Sequence, residues 1–182
     1  MQRYIRFVPN TLSTVRLILA CVFPFAPEQL WAWLIIASGC SDVLDGWIAK
    51  RWQVQSRLGA ILDGVADKLF ILAALLTIAG AGKFSLLWLP PLLARDLLVA
   101  FTAVYAATIS SWESFNKMDV RWTGKLATAG QFLLLLVAVL FPAGIQPVLC
   151  FAILLSVIAA GDYGWLFILE LHRRAEAKSC AR

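Results

Sequence analysis

Long apolar runs separated by short polar breaks make up most of the chain. After ten opening residues, apolar stretches cover about 11–25, 29–49, 58–81, 84–109, 126–141 and 145–171. Pro24 and Pro27, Gly80 and Gly82, and Pro142 mark three of the breaks, and a polar loop over 110–125 marks another. Each run approaches the ~20 residues that a helix needs to cross a bilayer. The pattern predicts an all-α integral membrane protein with six transmembrane helices. Before them, residues 1–10 set Tyr4, Ile5, Phe7 and Val8 among Arg3 and Arg6, which suits a short amphipathic segment lying at the headgroups. Pro9 opens the first helix, with Thr11 or Ser13 as its cap. Pro90 and Pro91 stand near the start of the fourth.

Composition agrees with a membrane setting. Apolar residues make up 61% and charged residues only 15%, with mean hydropathy +0.79, where a soluble domain is nearer a quarter charged. The 182 residues form one domain, 1–182, ending in a basic cytoplasmic tail over 172–182. A net charge of +5 would suggest nucleic acid in a soluble protein, but here the basic residues mark topology and no nucleic-acid partner is expected. Arg3, Arg6 and Arg16 accompany the first run, and Lys50, Arg51 and Arg57 lie between the second and third. Lys117, Arg121 and Lys125 lie between the fourth and fifth, and Arg173, Arg174, Lys178 and Arg182 follow the sixth. The opposite side holds Lys83 and Glu28. Both termini are therefore expected in the cytoplasm, with the protein in a bacterial inner membrane. Arg16 inside the first run argues against a cleaved signal peptide. Cys21, Cys40, Cys150 and Cys180 are scattered, without metal-ligand spacing or a disulfide framework. Trp31, Trp33, Trp88 and Trp165 are read as interface or packing residues.

Residues 42–67 break the apolar pattern most sharply. Asp42, Asp45, Gly46 and Ala49 share one helical face, and Gly59, Asp63 and Asp67 share another. The eight residues between Lys50 and Gly59 are mostly polar, as suits a connection between two antiparallel helices. Such a hairpin gathers four carboxylates at its cytoplasmic end. Charged groups in the hydrocarbon cost about 2.5–3.5 kcal/mol each on insertion scales. Converging carboxylates also repel one another unless cations neutralise them, so the stretch reads as a divalent-metal site. Gly46, Ala49 and Gly59 leave a hollow beside it for a substrate, and small residues of this kind also serve close helix packing.

The stretch fits the pattern D-x2-D-G-x2-A-R-x8-G-x3-D-x3-D and so resembles the CDP-alcohol phosphatidyltransferase family, with Lys50 in place of the family's Arg. A lysine keeps the charge but not the bidentate fork, and Arg51 points about 100° away on a helix. The resemblance implies attack by an acceptor hydroxyl at the β-phosphorus of CDP-diacylglycerol, with release of CMP. It implies two Mg²⁺ or Mn²⁺ ions held by Asp42, Asp45, Asp63 and Asp67, and Asp67 as general base. Gly46, Ala49, Lys50 and Gly59 would border the CDP donor. A homodimer is a further implication.

The acceptor half is read from three more runs. Pro9-Asn10 through Arg16, Arg95-Asp96, and Thr123-Gly124-Lys125 through Gln131 resemble the phosphatidylglycerophosphate synthase and cardiolipin synthase branch. Asp96 stands there for Glu and Ala127 for a second Lys. The expected acceptor is glycerol-3-phosphate, giving phosphatidylglycerophosphate, with phosphatidylglycerol, a lipid alcohol, as the alternative. A phosphorylated acceptor needs cations, and Lys125, Arg121, Lys117 and Arg95 are the candidates. Arg95 falls inside the fourth run and needs an anionic partner. Asp96 is expected to face elsewhere, leaving Asp162 as a candidate structural partner, the alternative being that Asp162 helps to line the acceptor cavity. A divalent-cation transporter would want carboxylates near mid-membrane and often an internal repeat, whereas the four acids gather at one cytoplasmic end and no repeat is found. An intramembrane aspartyl protease accounts for two of the four carboxylates, and an inactive scaffold leaves all four unexplained.

Overall fold

A computed structural model describes residues 8–52, 57–108 and 122–180, with side chains over 13–44, 63–102, 122–169 and at 172. Six longer helices appear in it: α1 (Val8–Val22), α2 (Glu28–Trp52), α3 (Arg57–Gly80), α4 (Ala94–Thr108), α5 (Trp122–Leu140) and α6 (Ile145–Cys180). Short 3₁₀ turns at Phe23–Phe25, Leu86–Trp88 and Pro142–Gly144 and a one-turn helix at Leu89–Leu92 lie between them. No strand occurs among the described residues. The chain forms two compact units, one of Met1–Leu86 with Phe132–Ile145, the other of Leu87–Gln131 with Gln146–Arg182.

In the first unit α1 packs against both α2 and α3. Phe23, at the turn ending α1, stacks on Trp31 of α2 at 5.8 Å and meets Phe70 of α3 edge-on at 5.7 Å. The Trp31 indole N–H also donates to the Ala26 carbonyl (2.9 Å), which fixes the entry to α2. The far end of the hairpin is tied by Lys83 and Glu28, 3.5 Å apart. These are the two charges read as lying on the side opposite the acidic cluster. The end of α3 has a clear local cause. Gly82 adopts φ +78°, its N–H bonds the Ala79 carbonyl, and the Lys83 N–H bonds that of Ile78. This is the double bond of a Schellman cap, with glycine at the left-handed position.

The fourth run departs from expectation. Instead of one helix from residue 84, it passes through a 3₁₀ turn and a one-turn helix that ends at Leu92. Pro90 and Pro91, without N–H donors, exclude a continuous α-helix running into them from residue 84. The uninterrupted helix begins only at Ala94. Ser13 is likewise not a cap, since it lies inside α1 with its hydroxyl turned to another helix. The helix α6 continues through 172–180, so the basic tail is helical that far.

Among the described residues, two stretches are long and apolar enough to cross a membrane, Trp122–Leu140 and Pro142–Leu169. On α6, Phe151, Leu154, Val157, Ile158, Trp165 and Ile168 are exposed, whereas Ser156 is buried. Trp33 and Trp88 are also exposed, and Trp31 is packed. An apolar exterior over a partly polar interior suits a lipid surrounding. Cys21, Cys40 and Cys150 are exposed free thiols.

Candidate active site

Asp42 lies on α2 and Asp63 on α3, and both reach one nitrogen of a third helix. Arg16 Nη1 of α1 is 3.1 Å from Asp42 Oδ1 and 3.0 Å from Asp63 Oδ1. Ser13, one turn earlier on α1, donates to the same Asp63 oxygen at 3.3 Å. The Arg16 side chain has no exposed surface, whereas those of Asp42 and Asp63 are 40% and 35% exposed. The cation is inside, and the two carboxylates keep open surface beyond it. Part of the neutralisation that the acidic pattern demands thus comes from the chain itself.

Asp67 follows Asp63 by one turn of α3. Its Oδ1 is buried and makes no hydrogen bond, while its Oδ2 lies 3.9 Å from Lys68 Nζ. Ser41, beside Asp42, is buried with its hydroxyl unsatisfied. The described residues contain no group of three or more His, Cys, Asp or Glu arranged as ligands, Asp42 and Asp63 being turned onto Arg16. By donor chemistry the residues still fit a divalent ion, since carboxylate oxygens are hard ligands and the orphaned Asp67 oxygen lacks a partner. Asp45, Gly46, Ala49 and Lys50 belong to α2 and Gly59 to α3, but their side chains lie outside the described residues.

Arg95 sits in the first turn of α4, in the second unit. Its Nη1 donates to Asp96 Oδ1 (2.9 Å), so the adjacent carboxylate, expected to face elsewhere, is its partner. The residues diverge at Cα, but the flexible arginine arm curls back. Asp162 accepts instead from the Thr123 hydroxyl (2.9 Å). Gln131 Nε2 completes the group, donating to Asp96 Oδ2 (2.9 Å) and to the Leu92 carbonyl at the helix break (3.0 Å). The Arg95 guanidinium also stands 5.3 Å from the centre of the Tyr163 ring. A methyl at Gly124 would come within 2.7 Å of Arg95 Nη2 and 2.8 Å of the Tyr163 hydroxyl, the ends of two side chains that would have to shift to admit it. Lys125 is exposed, its ammonium 5.3 Å from the centre of the Trp122 ring. Lys117 and Arg121 lie outside the described residues.

The model of the CDP-alcohol phosphatidyltransferase family matches residues 6–161, most of the chain. The chain belongs to this family. It is 33% identical over 132 residues to the CDP-diacylglycerol–glycerol-3-phosphate 3-phosphatidyltransferase of Pectobacterium atrosepticum, covering 69% of this chain and 71% of that protein. A protein of the same name from Sodalis glossinidius is 31% identical over 137 residues, 70% of this chain and 74% of its own. One from Yersinia enterocolitica is 29% identical over 133 residues, 68% and 71%. The match begins upstream of Arg16, so this phosphatidyltransferase domain takes in α1 as well as the acidic hairpin.

Sequence reasoning missed Arg16, Ser13 and Lys68 as site residues. For Arg16 a signal was present: a lone cation in an apolar run needs an anionic partner, as was argued for Arg95.

Proposed function

We propose that the protein transfers the phosphatidyl group of CDP-diacylglycerol to the hydroxyl of glycerol-3-phosphate, giving phosphatidylglycerophosphate and CMP. The observation that carries this is the meeting of Asp42 and Asp63 at Arg16, with Asp67 one turn further along α3. The names of the relatives support the choice of acceptor.

In this reading Asp42, Asp45, Asp63 and Asp67 hold Mg²⁺ or Mn²⁺, in all two ions. When bound, the ions neutralise the pyrophosphate and stabilise the attacking and leaving oxygens. Asp67 takes the proton of the acceptor hydroxyl on its unpartnered oxygen. The hydroxyl oxygen then bonds to the β-phosphorus, and the bond from that phosphorus to the CMP oxygen breaks. Gly46, Ala49 and Gly59 leave room for the cytidine diphosphate, and Lys50 supplies charge to its phosphates. The assignment of Lys125, Arg121, Lys117 and Arg95 to the acceptor rests on charge. The six helices are read as six spans of a bacterial inner membrane, with both termini and the acidic centre cytoplasmic. The distribution of basic residues supports this orientation. The family resemblance favours a homodimer.

Purified protein given CDP-diacylglycerol, glycerol-3-phosphate and Mg²⁺ is expected to release CMP, and EDTA to stop it. Release with phosphatidylglycerol alone as acceptor would replace the reading by a cardiolipin synthase. Absence of CMP with every alcohol, together with Mn²⁺ uptake into vesicles, would replace it by a transporter.

A further inference from the structure

We infer that Arg16 is a positioning residue that acts as the built-in counter-cation of the acidic centre. It holds Asp42 and Asp63 together before any ion binds, and its charge sets how strongly the centre takes up divalent cations. The inference rests on the metal reading above.

The geometry is unusual for a plain helix-packing ion pair. One guanidinium nitrogen serves carboxylates on two different helices, at 3.1 and 3.0 Å, from a side chain with no exposed surface. Ser13, on the same face of α1, adds a second donor to Asp63 Oδ1. Two carboxylates at one point carry two negative charges and repel; with the guanidinium between them the group carries one. An arriving divalent cation therefore meets prearranged oxygens but a weaker field, because like charges oppose one another at short range. Removing the guanidinium has two linked effects. The stronger net negative charge binds the ion more tightly, and the ion takes over the bridge between Asp42 and Asp63, the Lys68 ammonium lying at Asp67. A helix-packing arginine would produce neither.

The test uses the full chain in detergent, stripped with EDTA, with Mn²⁺ affinity read from the loss of the free-ion EPR signal and melting followed with and without Mn²⁺. Arg16→Gln is expected to bind Mn²⁺ about tenfold more tightly than wild type. It should melt lower when metal-free and regain most of the difference at saturating Mn²⁺. Arg16→Lys, which keeps the charge, should bind Mn²⁺ within about threefold of wild type. Should Arg16→Gln not fold, Arg16→Lys decides, and a larger change in its affinity overturns the inference. If Arg16→Gln binds Mn²⁺ no more tightly and its melting loss is the same with and without the ion, Arg16 is structural alone. Wild-type protein that takes up no Mn²⁺ overturns the metal reading itself, whereas wild-type uptake with Arg16→Gln unchanged overturns only the role of Arg16.

Discussion

Asp67 carries the sharpest expectation for a single side chain. Its Oδ1 is buried and unpartnered, and asparagine preserves the shape while removing the ability to take a proton. Asp67→Asn is expected to lower CMP release by about 10²–10⁴-fold, the usual worth of a general base. A rate within a few-fold of wild type would exclude that role. Gly124 makes a different prediction, because a methyl there overlaps Arg95 and Tyr163. Gly124→Ala should cost no more than about 1 kcal/mol of stability, because the ends of both side chains can shift and alanine favours a helix, read as a small change of melting temperature in detergent. The convergence of Asp42 and Asp63 was legible from helical spacing together with the short polar connection between the two helices. The partner of Arg95 was not, because a helical wheel fixes where the Cα–Cβ bond points, whereas a guanidinium ends several bonds away. That freedom lets Arg95 return to Asp96 and leaves Asp162 to Thr123.

Among the elements, boundaries set by local chemistry were the legible ones. The close of α3 at Gly80 and Gly82 follows from a left-handed residue that glycine alone adopts without cost. Gly82→Ala should therefore destabilise by about 1–2 kcal/mol, and Gly82→Asn by less, since Asn tolerates that region better. Equal losses in thermal melts would show that the cap geometry is not what matters. The break before α4 was harder to read. Pro90 and Pro91 were visible, but the interruption falls at Leu93, where the Gln131 amide reaches the Leu92 carbonyl across 39 residues of sequence. Long-range partners of this kind leave no mark on hydrophobic periodicity. The same holds for α1, whose packing against α2 and α3 could not be read from its apolar run.

For the whole molecule, the all-helical class was legible because the apolar runs are long and the breaks are chemically distinct. The number of spans is less directly expressed in the helices. Only Trp122–Leu140 and Pro142–Leu169 qualify by length and apolarity among the described residues. The acidic ends of α2 and α3 and the proline break before α4 dilute or shorten the others. The outward apolar residues of α6 predict that the protein stays in the membrane pellet after an alkaline carbonate wash. Release into the supernatant would contradict the membrane reading.

The joining of three helices at Arg16 also bears on how the protein is made. Chains emerge from the ribosome N-terminus first, so the guanidinium exists before either of its carboxylate partners. Asp63 follows it by 47 residues. A charge left in hydrocarbon costs about 2.5–3.5 kcal/mol, and until α3 is synthesised Arg16 has Asp42 but not Asp63 to offset it. Nascent chains halted after α2 should be extracted by carbonate more readily than chains halted after α3, and introducing Arg16→Leu should abolish the difference. Arg16 would then make the first helix wait for the third during biogenesis, tying the order of insertion to the completion of the centre that it later serves.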